Sequence, residues 1–166
     1  GTLGIITKIT LKVIPKPAAS ISVLIPFDNL QTGVNCISKI IKSNSNPTAI
    51  EFMESNIAEN SEKFLNLKLP CKYGNAYLLL TFDGEEDEIS SNINKTKEVV
   101  INNGALDFRE LNEEEALNAW TIRGALASSI CQNNEQVPID IVVPIDKIPQ
   151  FVEFTNECGK KHGIQV

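Results

Sequence analysis

The sequence is poor in the residue types from which many active sites are built. Its 166 residues include one histidine, one methionine and one tryptophan. A catalytic triad or a zinc site cannot be built on a single histidine and scattered cysteines. The histidine, His162, stands after two lysines and before Gly163 at a predicted helix C-terminus, where a cation is favourable against the helix dipole. We therefore interpret His162 as a solvated residue.

Most familiar catalytic motifs are also missing. The chain contains no phosphate-binding GxxxxGK[ST], no HExxH, no GxSxG and no complete GxGxxG. If the protein is an enzyme, this stretch of sequence does not hold its whole active site.

Close cysteine pairs and long apolar runs are absent too. Cys36, Cys71, Cys131 and Cys158 are too far apart for CxxC pairs, so we expect free, buried or partly buried thiols in a reducing compartment such as the cytoplasm. The longest apolar stretches are too short for a transmembrane segment, and no signal peptide is visible. Because the first residue is Gly1 rather than Met, we expect further residues to precede it.

Positive charge is scarce. The 15 Lys and Arg residues are outnumbered by 21 Asp and Glu residues, which gives a net charge of −6 and no basic block. Nucleic acid is therefore not a predicted partner. Acidic clusters at 84–88 and 113–115 are typical of helix N-terminal turns, and an acidic docking surface is the alternative.

The composition that remains is globular, with 42% hydrophobic and 22% charged residues. Asp28, Asn112 and Asp146 are the predicted N-caps. Apolar periodicity predicts strands at 20–27, 49–53, 75–82, 105–110 and 137–143, and helices at about 29–43, 57–65, 86–102, 113–130 and 148–161.

A further β-branched stretch at 1–13 is predicted to be a strand, and the prolines at 15 and 17 place a domain boundary near Pro17. The alternation after Pro17 predicts an α+β fold, a ferredoxin-like antiparallel sheet with helices packed on one face. The sheet is expected to be incomplete at the C-terminus, where residues 164–166 begin another strand.

Several motifs occur in the order and spacing of one protein family. The segment Gly-Thr-Leu-Gly-Ile with its prolines, the strand Ile-Glu-Phe-Met, a Trp-x-x-Arg helix and an Asp-x-x-x-Pro strand lie at residues 1–17, 50–53, 120–123 and 140–144. The chain resembles the FAD-linked oxidase family, which includes the glycolate oxidase flavoprotein subunit and D-lactate dehydrogenases. The resemblance implies that 1–17 is the last strand and linker of an FAD-binding domain and that 18–166 is a truncated substrate cap.

The resemblance also implies FAD as the cofactor of the full-length protein. Gly1, Thr2, Gly4 and Ile5 are the candidate contacts, since a glycine-rich segment lets backbone amides approach a ligand closely. The alternative is that the two glycines only shape a turn. Because most of the FAD-binding domain is missing, we expect no FAD on this chain alone.

Arg123 is the candidate substrate-binding residue. It lies among Ala119, Trp120, Leu126 and Ala127, so no acid stands one helical turn away to pair with it. A guanidinium is suited to bidentate binding of a carboxylate, and the resemblance implies that Arg123 binds the substrate carboxylate. A surface arginine lying on Trp120, or one paired with an acid distant in sequence, is the alternative.

The sequence departs from the family at informative positions. Relatives that oxidise D-2-hydroxyglutarate carry Thr and Lys where this chain has Ala127 and Pro138, which favours a small monocarboxylate such as lactate or glycolate. Ile139 replaces a common Glu. The family's catalytic base belongs to a His-rich segment expected after Val166, so no catalytic residue is assigned.

The resemblance predicts that the full-length protein oxidises a small D-2-hydroxy acid to the 2-oxo acid, with hydride passing to FAD. The implied partners are the 2-hydroxy acid and an electron-transfer protein or iron–sulfur subunit. The alternatives are a stand-alone ferredoxin-like ligand-binding or regulatory module without catalysis, and a purely structural or interaction domain.

Overall fold

A computed structural model describes residues 2–71, 73–131, 135, 137 and 139–164. Within them, four antiparallel strands form a sheet in the order β2-β3-β1-β4: β1 Ala19–Phe27, β2 Ala49–Glu54, β3 Ala76–Gly84 and β4 Arg109–Glu110. The helices are α1 Leu30–Lys42, α2 Ser55–Leu65, α3 Glu86–Ile101, α4 Glu113–Gly124, α5 Leu126–Cys131 and α6 Ile148–His162, with a 3₁₀ turn at Ile145–Lys147 before α6. This order and topology confirm the predicted α+β class and antiparallel sheet.

Both faces of the sheet are covered. Successive side chains of a strand point to opposite faces, and the alternate residues of β1 and β3 belong to two separate cores. The first core packs under α1 and α3 and includes Val23, Ile25, Phe27, Leu78, Leu80 and Phe82. The second packs under α2 and α4 and includes Leu24, Tyr77 and Leu79. The expectation that helices pack on one face therefore describes α1 and α3 only, since α2 and α4 cover the other.

The N-terminal residues of α1 and α4 test the N-caps predicted from sequence. Asn112 caps α4 in a capping box: its side chain accepts from the Glu115 amide at 2.9 Å, and Glu115 accepts from the Asn112 amide at 3.2 Å. That predicted cap is confirmed. Asp28 is not the cap of α1, because Asn29 takes this role by accepting from the Thr32 amide.

Two other helix boundaries differ from prediction. Asp146 does not cap α6, since a 3₁₀ turn places Lys147 at the N-cap position without a side-chain bond. The long helix expected at 113–130 is divided into α4 and α5 at Gly124 and Ala125. Glycine has low helix propensity, and Ala125 leaves helical geometry with φ −93° and ψ 1°.

Two predicted strands are not formed among the described residues. Residues 2–13 have no strand partner, and their apolar side chains are exposed, from Ile9 at 68% to Leu3 at 103%. The described part of 137–143 is also without strand, and Val142 is 95% exposed. Alternation gives a segment strand character, but a strand forms only where a neighbour accepts its backbone hydrogen bonds. Of the strand expected at 164–166, Gln165 and Val166 lie outside the described residues.

Candidate functional site

The candidate site lies where the second half of α4 crosses the sheet. Ala119 and Ile122 are fully buried and fix the helix against the second core. Trp120 and Arg123 are three residues apart, so their side chains share one side of the helix. Both are only half-buried. The Trp-x-x-Arg motif thus brings an indole and a guanidinium to the edge of the helix–sheet interface.

Trp120 is tied to the sheet through a short chain of hydrogen bonds. Its indole Nε1 donates to the hydroxyl of Ser22 on β1 at 3.0 Å. The Ser22 hydroxyl lies 2.9 Å from that of Thr81, and these two residues face each other in the β1–β3 register. Ser22 is buried, so its hydroxyl needs such partners. This chain of hydrogen bonds fixes α4 on the strands beneath it.

Arg123 is paired with an acid on β2. Its Nη2 donates to Oε2 of Glu51 at 2.8 Å across 72 residues of sequence, and the side chains are 42% and 34% exposed. Of the alternatives considered for Arg123, pairing with an acid distant in sequence is the one that the structure contains. Glu51 was not predicted as a site residue, although a charge between Ile50 and Phe52 in an apolar strand was the available signal.

A wide groove of about 1070 Å³ opens beside Trp120. Its walls are the Pro17 linker, the start of β1 and the first turns of α4, with Ser22 and Thr81 at its base. The groove does not include Arg123. It is much larger than a lactate or glycolate molecule, so its shape alone selects no ligand.

The predicted cofactor contacts lie away from this arrangement. Thr2, Gly4 and Ile5 are exposed, and a Cβ built on Gly4 would meet no atom within 4 Å. Gly1 lies outside the described residues. The three described residues, Thr2, Gly4 and Ile5, do not by themselves form a cradle that a flavin would fill. Contact of the predicted set with FAD stays a prediction.

The remaining reactive side chains are dispersed. His162 is exposed at the end of α6, as interpreted from sequence, and the described part of the chain holds no group of three His, Cys, Asp or Glu residues that could bind a metal. Burial raises the pKa of Cys36 and of Cys71, and Cys158 is partly buried. Cys131 is exposed, so the expectation that every thiol is at least partly covered was wrong for it.

The positions from which a monocarboxylate substrate was predicted are described only in part. Ala127 is exposed on α5, and Pro138 lies outside the described residues. Ile139 and Asp140 are exposed in a segment without strand. In the described parts of the chain, the helices are too short or too polar to cross a bilayer.

Comparison with known proteins gives one consistent family. The family model described as "FAD linked oxidases, C-terminal domain" matches residues 16–166. A D-lactate dehydrogenase of Anaerostipes hadrus is 39% identical over 100% of this chain and 37% of its own length. The glycolate oxidase subunit GlcD of Bacillus subtilis is 26% identical over 100% of this chain and 36% of its own length. The chain thus spans little more than a third of these curated relatives.

Similarity also extends to a solved structure. An alkyldihydroxyacetonephosphate synthase superposes with a TM-score of 0.66 over 88% of this chain and 32% of that chain. At 14% identity, the likeness supports the fold alone.

Proposed function

The chain belongs to the family of FAD linked oxidases, C-terminal domain, and on this basis we propose that it is the substrate cap of an FAD-dependent oxidoreductase. The whole protein would oxidise a small D-2-hydroxy acid to the 2-oxo acid. Relatives named D-lactate dehydrogenase and glycolate oxidase support this substrate class.

The observation that carries the proposal is the placement of Arg123. Among the described residues its guanidinium makes one hydrogen bond, from Nη2 to Glu51. A guanidinium has five N–H donors in a planar fork that matches a carboxylate, so most of its donors are available to a ligand. Buried Ala119 and Ile122 hold the helix beneath it. A half-exposed arginine on a fixed helix is suited to binding the carboxylate of a hydroxy acid.

The proposal divides the chain at Pro17. Residues 1–17 would be the last strand and linker of the FAD-binding domain, and 18–166 the cap. The match of the family model from Lys16 onward supports the division. The exposed apolar side chains at 3–14 support it as well, because contiguous apolar surface marks a site of contact with other protein. Gly1, Thr2, Gly4 and Ile5 would contact FAD within that domain, and bound FAD would supply the oxidant.

Ala127 supports a monocarboxylate substrate. A methyl group cannot bind a second carboxylate, so lactate or glycolate fits the position better than a dicarboxylate. The electron-transfer or iron–sulfur partner stays a prediction from the family resemblance. The cytoplasmic location likewise stays a prediction, based on cysteine usage.

A stand-alone ferredoxin-like binding module is a weaker proposal. Such a module would need no apolar segment ahead of its sheet, whereas residues 2–14 carry exposed Leu, Ile and Val side chains throughout.

The test is substitution of Arg123 in the whole protein. Arg123→Ala removes charge and geometry, and Arg123→Lys keeps the charge only. A charge-assisted hydrogen bond contributes about 1.5–3 kcal/mol, so Ala is expected to lower kcat/KM for D-lactate or glycolate by about tenfold or more. Lys is expected to recover part of that loss, and the FAD content should not change.

Arg109→Ala is the matched control. Arg109 forms an ion pair with Glu115 at 2.5 Å and is 45% exposed, but it lies on β4, at the opposite edge of the sheet from β2. Its replacement should leave kcat/KM unchanged. If Arg123→Ala left kcat/KM at the wild-type value for every 2-hydroxy acid tested, the carboxylate-binding role would be refuted.

A further inference from the structure

The Glu51 carboxylate gives Arg123 a fixed neighbour. Glu51 lies in the middle of β2, opposite Leu79 of β3, so its backbone belongs to a paired strand. Arg123 lies on α4, and the ion pair is therefore a bridge between two rigid elements. A free arginine side chain has many rotamers, and ordering it costs conformational entropy when a ligand binds. A contact with Glu51 that is made before the ligand binds would reduce this cost.

The geometry of the pair leaves one two-pronged edge of the guanidinium open, because Nη2 carries two N–H groups and Glu51 engages one of them. One carboxylate oxygen, Oε2, accepts from one nitrogen, Nη2, at 2.8 Å. A carboxylate that filled the ligand position would use the two-pronged arrangement which arginine and carboxylate prefer. The single contact is thus suited to holding the guanidinium rather than occupying its binding face.

We propose that Glu51 is a positioning residue for the substrate carboxylate, acting through Arg123. The inference rests on the proposed function, because it assumes that Arg123 binds that carboxylate. Glu51 accepts one N–H of Nη2 and thereby orients the guanidinium. The second N–H of Nη2 and the neighbouring N–H of Nη1 or Nε then meet a carboxylate with little further ordering. A surface pair without this role would affect stability slightly and leave binding unchanged.

The experiment compares Glu51→Ala and Glu51→Gln in the whole protein, each alone and combined with Arg123→Ala. Glu51→Ala should raise KM for D-lactate or glycolate by about two- to fivefold, the size expected for a half-exposed pair, with kcat unchanged. Glu51→Gln keeps an oxygen that accepts from Nη2 and should restore most of the wild-type KM. In the Arg123→Ala background, neither Glu51 variant should change KM further. Arg109→Ala, which breaks the ion pair with Glu115, again serves as the control and should leave KM unchanged.

Each result decides a different point. An unchanged KM in Glu51→Ala, together with a loss of kcat/KM in Arg123→Ala, overturns the positioning role and keeps the proposed function. A lower KM in both Glu51 variants also overturns it, since Glu51 would then compete with the substrate. Wild-type kinetics in all the variants overturn both proposals. A raised KM in Glu51→Ala that persists in the Arg123→Ala background shows a role that does not pass through Arg123, and this too overturns the inference.

Discussion

The hydrogen bond from Trp120 to Ser22 is expected to stabilise the docking of α4 on the sheet. The perturbation is a double-mutant cycle of Trp120→Phe and Ser22→Ala. Phenylalanine keeps an aromatic ring but removes the Nε1 donor, which lies 3.0 Å from the Ser22 hydroxyl. In Trp120→Phe the Ser22 hydroxyl keeps its partner Thr81 at 2.9 Å, so no buried group is left unsatisfied.

The magnitude follows from that arrangement. A net intramolecular hydrogen bond contributes about 0.5–1.5 kcal/mol, and Ser22 is only 6% exposed. We expect a coupling free energy of about 1 kcal/mol between the two substitutions. Each single substitution costs more than the coupling, because Trp120→Phe also removes ring atoms and Ser22→Ala also removes the bond to Thr81. For a chain of this length, each 1 kcal/mol lowers Tm by about 2–4 °C.

The assay is urea unfolding of the four proteins of the cycle, followed by far-ultraviolet circular dichroism. Trp120 is the sole tryptophan, so its fluorescence gives a second, local probe in the variants that retain it. Ser20→Ala is the matched control, since Ser20 is exposed on the same strand and should not couple to Trp120. A coupling close to zero, or one as large in Ser20→Ala as in Ser22→Ala, would refute the hydrogen-bond argument.

Two further predictions concern stability and titration. Asn112→Ala removes the side-chain cap of α4 and should lower the free energy of unfolding by about 1 kcal/mol. Asn94 is exposed within α3, and Asn94→Ala should not have this effect. Equal effects of the two substitutions in a denaturant titration would contradict the capping role. The hydrogen bond donated by Tyr73 to the Asp107 carboxylate raises the pKa of Tyr73 from 10.0 to about 12. The protonated phenol is therefore stabilised by folding, a contribution complete below pH 10 and lost as the pH rises through about 12. In a Tyr77→Phe background, phenolate absorbance should report the pKa of Tyr73 alone. Asp107→Ala should lower this pKa toward 10.0. A Tyr73 pKa near 10.0 while Asp107 is still present would contradict the contact.

The local elements of the fold were predictable because their signals are local. Apolar periodicity placed α3 and β1 within one residue of their observed ends, and the Asn112 capping box is contained in four residues. For α1 the choice between Asp28 and Asn29 as cap was decided by how the chain leaves β1, which places Asn29 rather than Asp28 against the Thr32 amide. Adjacent residues with equal capping propensity cannot be separated from sequence alone.

Strand formation was less predictable because it depends on a partner. Residues 2–13 and 137–143 carry the β-branched alternation of a strand, yet their described residues find no neighbouring strand to pair with. β4 was expected at 105–110, but the ladder with β1 includes only Arg109 and Glu110, and Ala105 forms an isolated bridge. Pattern sets the tendency of a segment, and tertiary position decides whether its backbone is paired.

The sequence by itself determined the family and the α+β class, because motifs and periodicity are properties of neighbouring residues, and it predicted a substrate-binding role for Arg123. Only the tertiary structure decided what surrounds that arginine. Glu51 reaches it across 72 residues and Ser22 reaches Trp120 across 98. The β2–β3 register and the crossing of α4 over the sheet bring these side chains together. A one-residue shift of that register would turn Glu51 to the other face, so the pair is a consequence of the assembled sheet.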